Sequence, residues 1–210
     1  MKSEMCKPIN DMLIKWVPDI GMYAIDRPMK TCVWKSEWCG KHCYNIKFFK
    51  TFPKNMIPFE TKAERSWDAF TPENFAEWLK NVSRPVKRFR ICTRGEPFTN
   101  LDDIIKIREI AHENQNIEFW IPTRAFSNDQ MMVNIEYAFR GYWRAKIMWS
   151  VDPCTNTSLM DGSHRPWIIV GRDDCGSPVK CPKTWEHVEG ACGTCEIGCF
   201  SGHDVLLKEH

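Results

Sequence analysis

Eleven cysteines in a chain of 210 residues constrain this fold more than any other feature of its sequence. An odd number excludes complete intramolecular disulfide pairing. The cysteines are also grouped. Cys32, Cys39 and Cys43 share one loop with gaps of six and three, and the aromatic Tyr44 follows. Cys181, Cys192, Cys195 and Cys199 form a second group with gaps of ten, two and three, among glycines that let a backbone wrap. Met1 to Asn10 carry charges and no apolar run, which reads as no secretory signal. No run of about eighteen apolar residues offers a transmembrane helix. The expected compartment is therefore cytoplasmic and reducing, where clustered thiols hold metals.

The two groups suit different tasks. Four thiolates make either a structural zinc site or a fully ligated iron–sulfur cluster, and the pair Cys181 and Pro182 tilts the choice toward the cluster. Three thiolates from one loop hold three irons of a four-iron cluster and leave the fourth iron open. A zinc that borrows a distant ligand such as Cys6 or Cys92 is the alternative there. Cys154 and Cys175 remain as spare thiols. His164, His187 and His203 show no paired spacing, so the zinc-hydrolase pattern is absent. Ser150, Asp152 and His164 have the residue types of a hydrolytic triad, but no nucleophile elbow surrounds the serine.

Composition excludes some broad classes. A net charge of +2 gives no basic excess for nucleic acid or an anionic membrane, and 43% hydrophobic against 27% charged residues is ordinary for a folded domain. Small-molecule and protein partners stay open.

The pattern between the cysteine groups alternates strands with helices. Ile20 to Ile25, Arg88 to Thr93, Ile117 to Ile121, Lys146 to Val151 and Trp167 to Val170 read as strands. Tyr44 to Phe52 reads as helical, ending before Pro53. Thr71 with Pro72 and Glu73 starts a helix that runs to Pro85, Asn100 starts another to Glu113, and Asp129 to Arg140 is a third. Residues 53 to 70, rich in proline and charge, read as loop. Such βα alternation predicts an α/β fold with a parallel, partial (β/α) barrel-like sheet over residues 1–171. A full eightfold barrel usually takes about 250 residues, too many for this chain. Residues 172–210 read as a cysteine-rich, cluster-binding C-terminal segment. In parallel α/β sheets ligands bind at the carboxyl ends of strands. Gly95 and Glu96 fall there, with a glycine that permits close approach and a carboxylate suited to an ammonium group.

A cysteine triplet ending in Cys43 and Tyr44 after the first strand, followed by Gly95, Glu96 and Pro97 after the second, resembles the radical S-adenosylmethionine superfamily. That resemblance implies a four-iron cluster on Cys32, Cys39 and Cys43, S-adenosylmethionine chelated at the open iron, and its reductive cleavage for an unknown substrate. The superfamily's usual triplet is more tightly spaced than the six and three found here. More narrowly, the chain is similar to a group of poorly characterised phage proteins related to that superfamily. Members share the cysteine loop, the Gly-Glu strand end, Thr123 with Arg124, Ser150 to Asp152, and the terminal cysteine group. The resemblance implies a protein of the phage-infected host cell, with Glu96 and Gly95 at the amino group of S-adenosylmethionine. Arg124, Ser150 and Asp152 would lie near its carboxylate and ribose, and Arg124 has the planar fork for a carboxylate. It implies two four-iron clusters, zinc being the alternative metal. A non-catalytic phage scaffold that binds a protein partner is the alternative function.

Overall fold

Period-two alternation decides which way each strand residue faces, and a single sheet carries the whole chain. The computed structural model describes residues 11–160, 165–171, 178–185, 191–196 and 198–208. The strands are β1 (Lys15–Val17), β2 (Met22–Ile25), β3 (Arg88–Ile91), β4 (Glu118–Thr123), β5 (Ala145–Val151), β6 (Trp167–Val170), β7 (Val179–Lys180) and β8 (Val205–Leu207). The helices are α1 (Glu37–His42), α2 (Tyr44–Thr51), α3 (Pro53–Asp68), α4 (Pro72–Asn81), α5 (Leu101–Glu113), α6 (Asp129–Ala138), α7 (Pro182–Trp185) and α8 (Ala191–Thr194). Strand order is β1-β2-β3-β4-β5-β6-β8-β7. β1 and β2 pair antiparallel, and the remaining pairings are parallel.

From β2 to β6 the spatial order follows the chain. Right-handed crossovers then carry the connecting helices to the same side of the sheet. Phe75 and Trp78 of α4, Ile104 and Ile107 of α5, and Ile135 of α6 accordingly share one core with Phe89, Ile91, Phe119, Ile121, Ile147 and Trp149. The alternate strand residues Met22, Trp120, Met148 and Ile168 face the other way and form a second core with Phe200 and Val205.

In a closed barrel that second face would be the interior. Here the sheet stays open, with β1 and β7 at its edges, which corrects the partial-barrel expectation. The βα series is too short to close, so the second face needs another cover. Cys181, Cys192 and Cys199 pack onto this core, and β8 pairs with β6 to extend the same sheet. Stretches past Gly171 thus supply both strands and a lid.

Local signals set the helix starts. Thr71, Asn100 and Asn128 each accept a hydrogen bond from the backbone N–H three residues on. The loop expected over 53–70 is instead mostly α3. Pro53 occupies the first turn, where a missing N–H is harmless, and Pro58 sits in the outer half, where exposed Lys54 leaves its carbonyl to water. Only the second half of α3 is buried, through Ala63, Ser66 and Trp67. Composition hid that short repeat. β4 also runs through Pro122 rather than stopping there. Its ladder with β3 ends at Trp120, so Pro122 pairs only toward β5 and the missing N–H costs nothing.

Candidate metal and ligand site

The first cysteine group is carried by α1 and its flanks. Ser36 caps α1 by accepting the Cys39 N–H at 2.9 Å, and its hydroxyl donates to Asp152 Oδ2 at 2.5 Å. Asp152 is buried just past β5 and pairs with Arg124 Nη1 at 2.8 Å. Arg124 Nη2 donates to Thr155 Oγ1 at 3.0 Å, and Asp152 Oδ1 accepts the Cys154 N–H at 3.0 Å. The cysteine loop is therefore fastened to the carboxyl ends of β4 and β5 by a polar chain. Trp34 adds a bond from its indole to the Phe98 carbonyl at 2.8 Å.

Glu96 is buried in the turn after β3. Its carboxylate accepts the Thr123 hydroxyl, the Phe98 N–H at 3.2 Å and the Arg124 N–H at 3.0 Å. Burial pushes its pKa up to about 7, against the lowering pull of those three donors. Gly95 takes φ +80°, and a Cβ there would lie 2.6 Å from Arg27 Cβ and 2.7 Å from its carbonyl oxygen. Close approach to Arg27 is what the glycine permits. Arg27 in turn donates to the Glu96 and Pro97 carbonyls at 3.1 Å each and to Asp103 at 2.6 Å, with its guanidinium over the Trp67 ring. Cys92 is held in the left-handed region at φ +61°, its N–H bonded to the Ile25 carbonyl at 2.8 Å. For a residue with a Cβ that geometry costs about 1 kcal/mol.

These pieces surround one cavity of about 320 Å³ at the carboxyl ends of the central strands, on the sheet face opposite α4, α5 and α6. Cys32, Cys39, Cys43, Glu96, Arg124 and Ser150 line it, as does Gly95. Asp152 lies behind Arg124. The sequence-predicted residues are thus brought together, although the polar groups of Glu96, Arg124 and Asp152 already hold one another. Burial pushes the Cys32 thiol up to about 12, with Glu96, Cys39 and Cys43 adding to it. Burial raises Cys39 too, opposed by Arg124.

The second group converges on the same sheet face. Cys181, Cys192, Cys195 and Cys199 line a cavity of about 20 Å³ closed by Trp120, Phe200 and Val205. Burial raises Cys192 to about 11 and Cys199 to about 12, with neighbouring thiols reinforcing both shifts. α8 docks on the β1–β2 turn so closely that a Cβ on Gly193 would lie 2.3 Å from the Gly21 carbonyl oxygen. Arg88 donates to the Cys192 carbonyl at 2.9 Å and covers the Phe200 ring. Arg90 joins the two regions: it lines the first cavity and lies 4.2 Å over the Trp120 ring of the second.

Among the described residues, no group of three or more His, Cys, Asp and Glu side chains is already set in metal-holding geometry. A metal has to displace thiol protons, and Cys32, Cys192 and Cys199, which burial pushes above the ordinary thiol pKa, release theirs only to a metal that binds thiolate strongly. The donor chemistry of both groups, sulfur in an apolar or partly charged cavity, fits a thiophilic metal. Cys6, Cys175, His164 and His187 lie outside the described residues.

Sequence reading missed Ser36, Thr155, Arg27, Arg90 and Trp120. Ser36 carried a signal, a hydroxyl three residues before Cys39 in the position of a helix cap. Arg90 and Trp120 carried another, since each alternates with residues of the helix-side core. Arg27 and Thr155 gave none.

An open, mostly parallel sheet with helices packed on it defines an α/β protein, and the thiol-lined cavity at its carboxyl edge is the candidate site. Residues 7–138 match the gene product 88 family, and the chain belongs to that family of phage proteins. The match takes in Cys32, Cys39, Cys43, Glu96 and Arg124 and stops before β5. No curated protein and no solved structure matches the chain. These comparisons lend no support to a relationship with the radical S-adenosylmethionine superfamily. Among the described residues, no helix is long and apolar enough to cross a membrane.

Proposed function

We propose that this is an iron–sulfur protein that binds S-adenosylmethionine and cleaves it reductively. Cys32, Cys39 and Cys43 are the residues that would hold a four-iron cluster. When bound, such a cluster supplies the electron for the cleavage. The carrying observation is one cavity that brings three thiols of a single loop beside a buried carboxylate, Glu96, at the strand ends. Glu96 Oε2 accepts one hydrogen bond, from the Arg124 N–H, and retains a lone pair for an ammonium group. Bringing a cation beside Glu96 would favour its ionised form. Arg124, steadied by Asp152 and Thr155, keeps a positive charge on the same wall, and Ser150 adds a hydroxyl. The second group is a staple. Its cavity of about 20 Å³ has room for a single ion-sized group, which favours zinc there over a second cluster.

The test is the iron, sulfide and zinc content of protein purified without oxygen, with electron paramagnetic resonance with and without S-adenosylmethionine. Iron and sulfide in about equal amounts, lost in Cys32→Ala, together with a signal that S-adenosylmethionine perturbs in the wild type and not in Glu96→Ala, is the expected result. Zinc without sulfide overturns the cluster reading.

One observation favours a second reading, a non-catalytic scaffold that binds a protein partner. Tyr44, Phe48, Phe52 and Ile57 stand exposed along α2 and the start of α3. Lys47, Lys50 and Lys54 lie among them, Lys41 just precedes them, and no acidic residue falls between Glu37 and Glu60. That stripe suits an acidic, partly apolar protein surface. A cluster that never responds to S-adenosylmethionine would support this reading.

A further inference from the structure

Trp120 is 7% exposed, and its indole Nε1 is buried with no hydrogen-bond acceptor among the described residues. An orphaned N–H inside a core is unfavourable and calls for a partner. The Trp120 ring forms part of the wall around Cys181, Cys192, Cys195 and Cys199, a wall that is otherwise mainly apolar. Trp120 is fixed there from two sides, by the Arg90 guanidinium at 4.2 Å and the Phe200 ring at 6.2 Å. Protonated thiols are weak acceptors, whereas thiolates ligating a metal are strong ones. What the described residues lack at this position is therefore what metal loading would supply.

We propose that Trp120 donates its indole N–H to a ligand sulfur of the metal centre held by the four-cysteine group, and so tunes that centre as a positioning residue. The proposal rests on the metal-staple reading of that group. Drawing electron density from a sulfur ligand makes the thiolate a poorer charge donor to the metal, and orients it. The positive charge of Arg90 over the ring polarises the N–H in the same direction. Trp78 supplies a control, since its Nε1 is also buried without an acceptor among the described residues but lies in the helix-side core.

Cobalt(II) is the probe, added to the full chain with Cys32, Cys39 and Cys43 replaced by serine so that the first group offers no thiolate. Near-ultraviolet thiolate-to-cobalt charge-transfer bands are expected. Trp120→Phe should move those bands to longer wavelength and weaken cobalt binding about tenfold, the usual effect of removing a hydrogen bond to a metal ligand. Trp78→Phe should leave band position and affinity unchanged. Bands and affinity unaltered in Trp120→Phe would overturn the role of Trp120 alone. No charge-transfer bands in the chain that retains Trp120 would overturn the metal reading itself. Should Trp120→Phe fail to fold, the ¹⁵N-tryptophan spectrum of the parent chain decides. The Trp120 indole resonance is expected to shift on adding zinc(II) while that of Trp78 stays, and a stationary Trp120 signal sinks the proposal.

Discussion

The two cysteine groups stand on the same face of one sheet and are built by opposite means. The first is fastened by charge and hydrogen bonds, through Ser36, Asp152, Arg124 and Glu96, and keeps about 320 Å³ of open space. The second is fastened by apolar packing of Met22, Trp120, Met148, Phe200 and Val205, and keeps about 20 Å³. A polar frame holds a cavity open because each partner has fixed length and direction, whereas apolar side chains close any gap they can reach. The same residue type thus lines an open cavity at one end of the sheet and a seal further along it.

This contrast breaks most sharply at Arg124. Arg124→Ala leaves Asp152 buried without its cation, which should cost about 4 kcal/mol. Chemical denaturation measures the loss. Amide hydrogen exchange of the metal-free protein should quicken at Cys39 and remain slow at Cys192 and Cys199. Equal acceleration at all three would mean the two regions are not separately fastened.

Glu96 gives the first region a pH signature. Its folded pKa of about 7 lies above the ordinary 4.5. Its contribution to stability is therefore fully present below pH 4.5 and lost as pH rises through about 7. The fall should be on the order of 3 kcal/mol. Glu96→Gln should flatten the stability curve across that window, whatever its effect on absolute stability, and an unchanged slope would assign the titration to another group.

The second region is tested by Gly193→Ala, whose Cβ meets the Gly21 carbonyl. A loss of about 2 kcal/mol is expected from this overpacking. Here amide hydrogen exchange at Cys192 and Cys199 should accelerate with Cys39 unaffected, the mirror of the Arg124 result. Smallest of all is Lys41→Ala. The Lys41–Glu37 pair on α1 is solvent-exposed, so its loss should shift stability by less than about 0.5 kcal/mol, which thermal unfolding can check. A larger effect would show that charge on the surface of α1, and not only its buried anchor, holds the first region.

How far these regions could be read beforehand differs between them. The membership of each cysteine group is written in spacing, and the cavities do gather Cys32, Cys39 and Cys43 in one place and Cys181, Cys192, Cys195 and Cys199 in another. The strand-end position of Glu96 was equally legible, because βα alternation puts it there, whereas Arg124 was placed at a strand end only by the resemblance, the alternation having stopped that strand at Pro122. What spacing could not show is that Arg124 faces Asp152, or that Ser36 ties the cysteine loop to both. Those contacts join residues far apart in sequence, and only the sheet register sets their distance. The helical nature of 53–68 was hidden as well, since its outer half lacks an apolar face and its proline content mimics a loop.

The sequence by itself determined the local elements and the chemistry on offer. Caps at Thr71, Asn100 and Asn128, alternating strands, and thiols in two groups all act through near neighbours, whose interactions chain order already specifies. Tertiary structure alone decided that the sheet stays open, that the cysteine-rich segment covers the face a barrel would have enclosed, and that Arg90 and Trp120 stand between the two groups. Each of those outcomes follows from which distant surfaces must be buried together, a choice made by the folded whole.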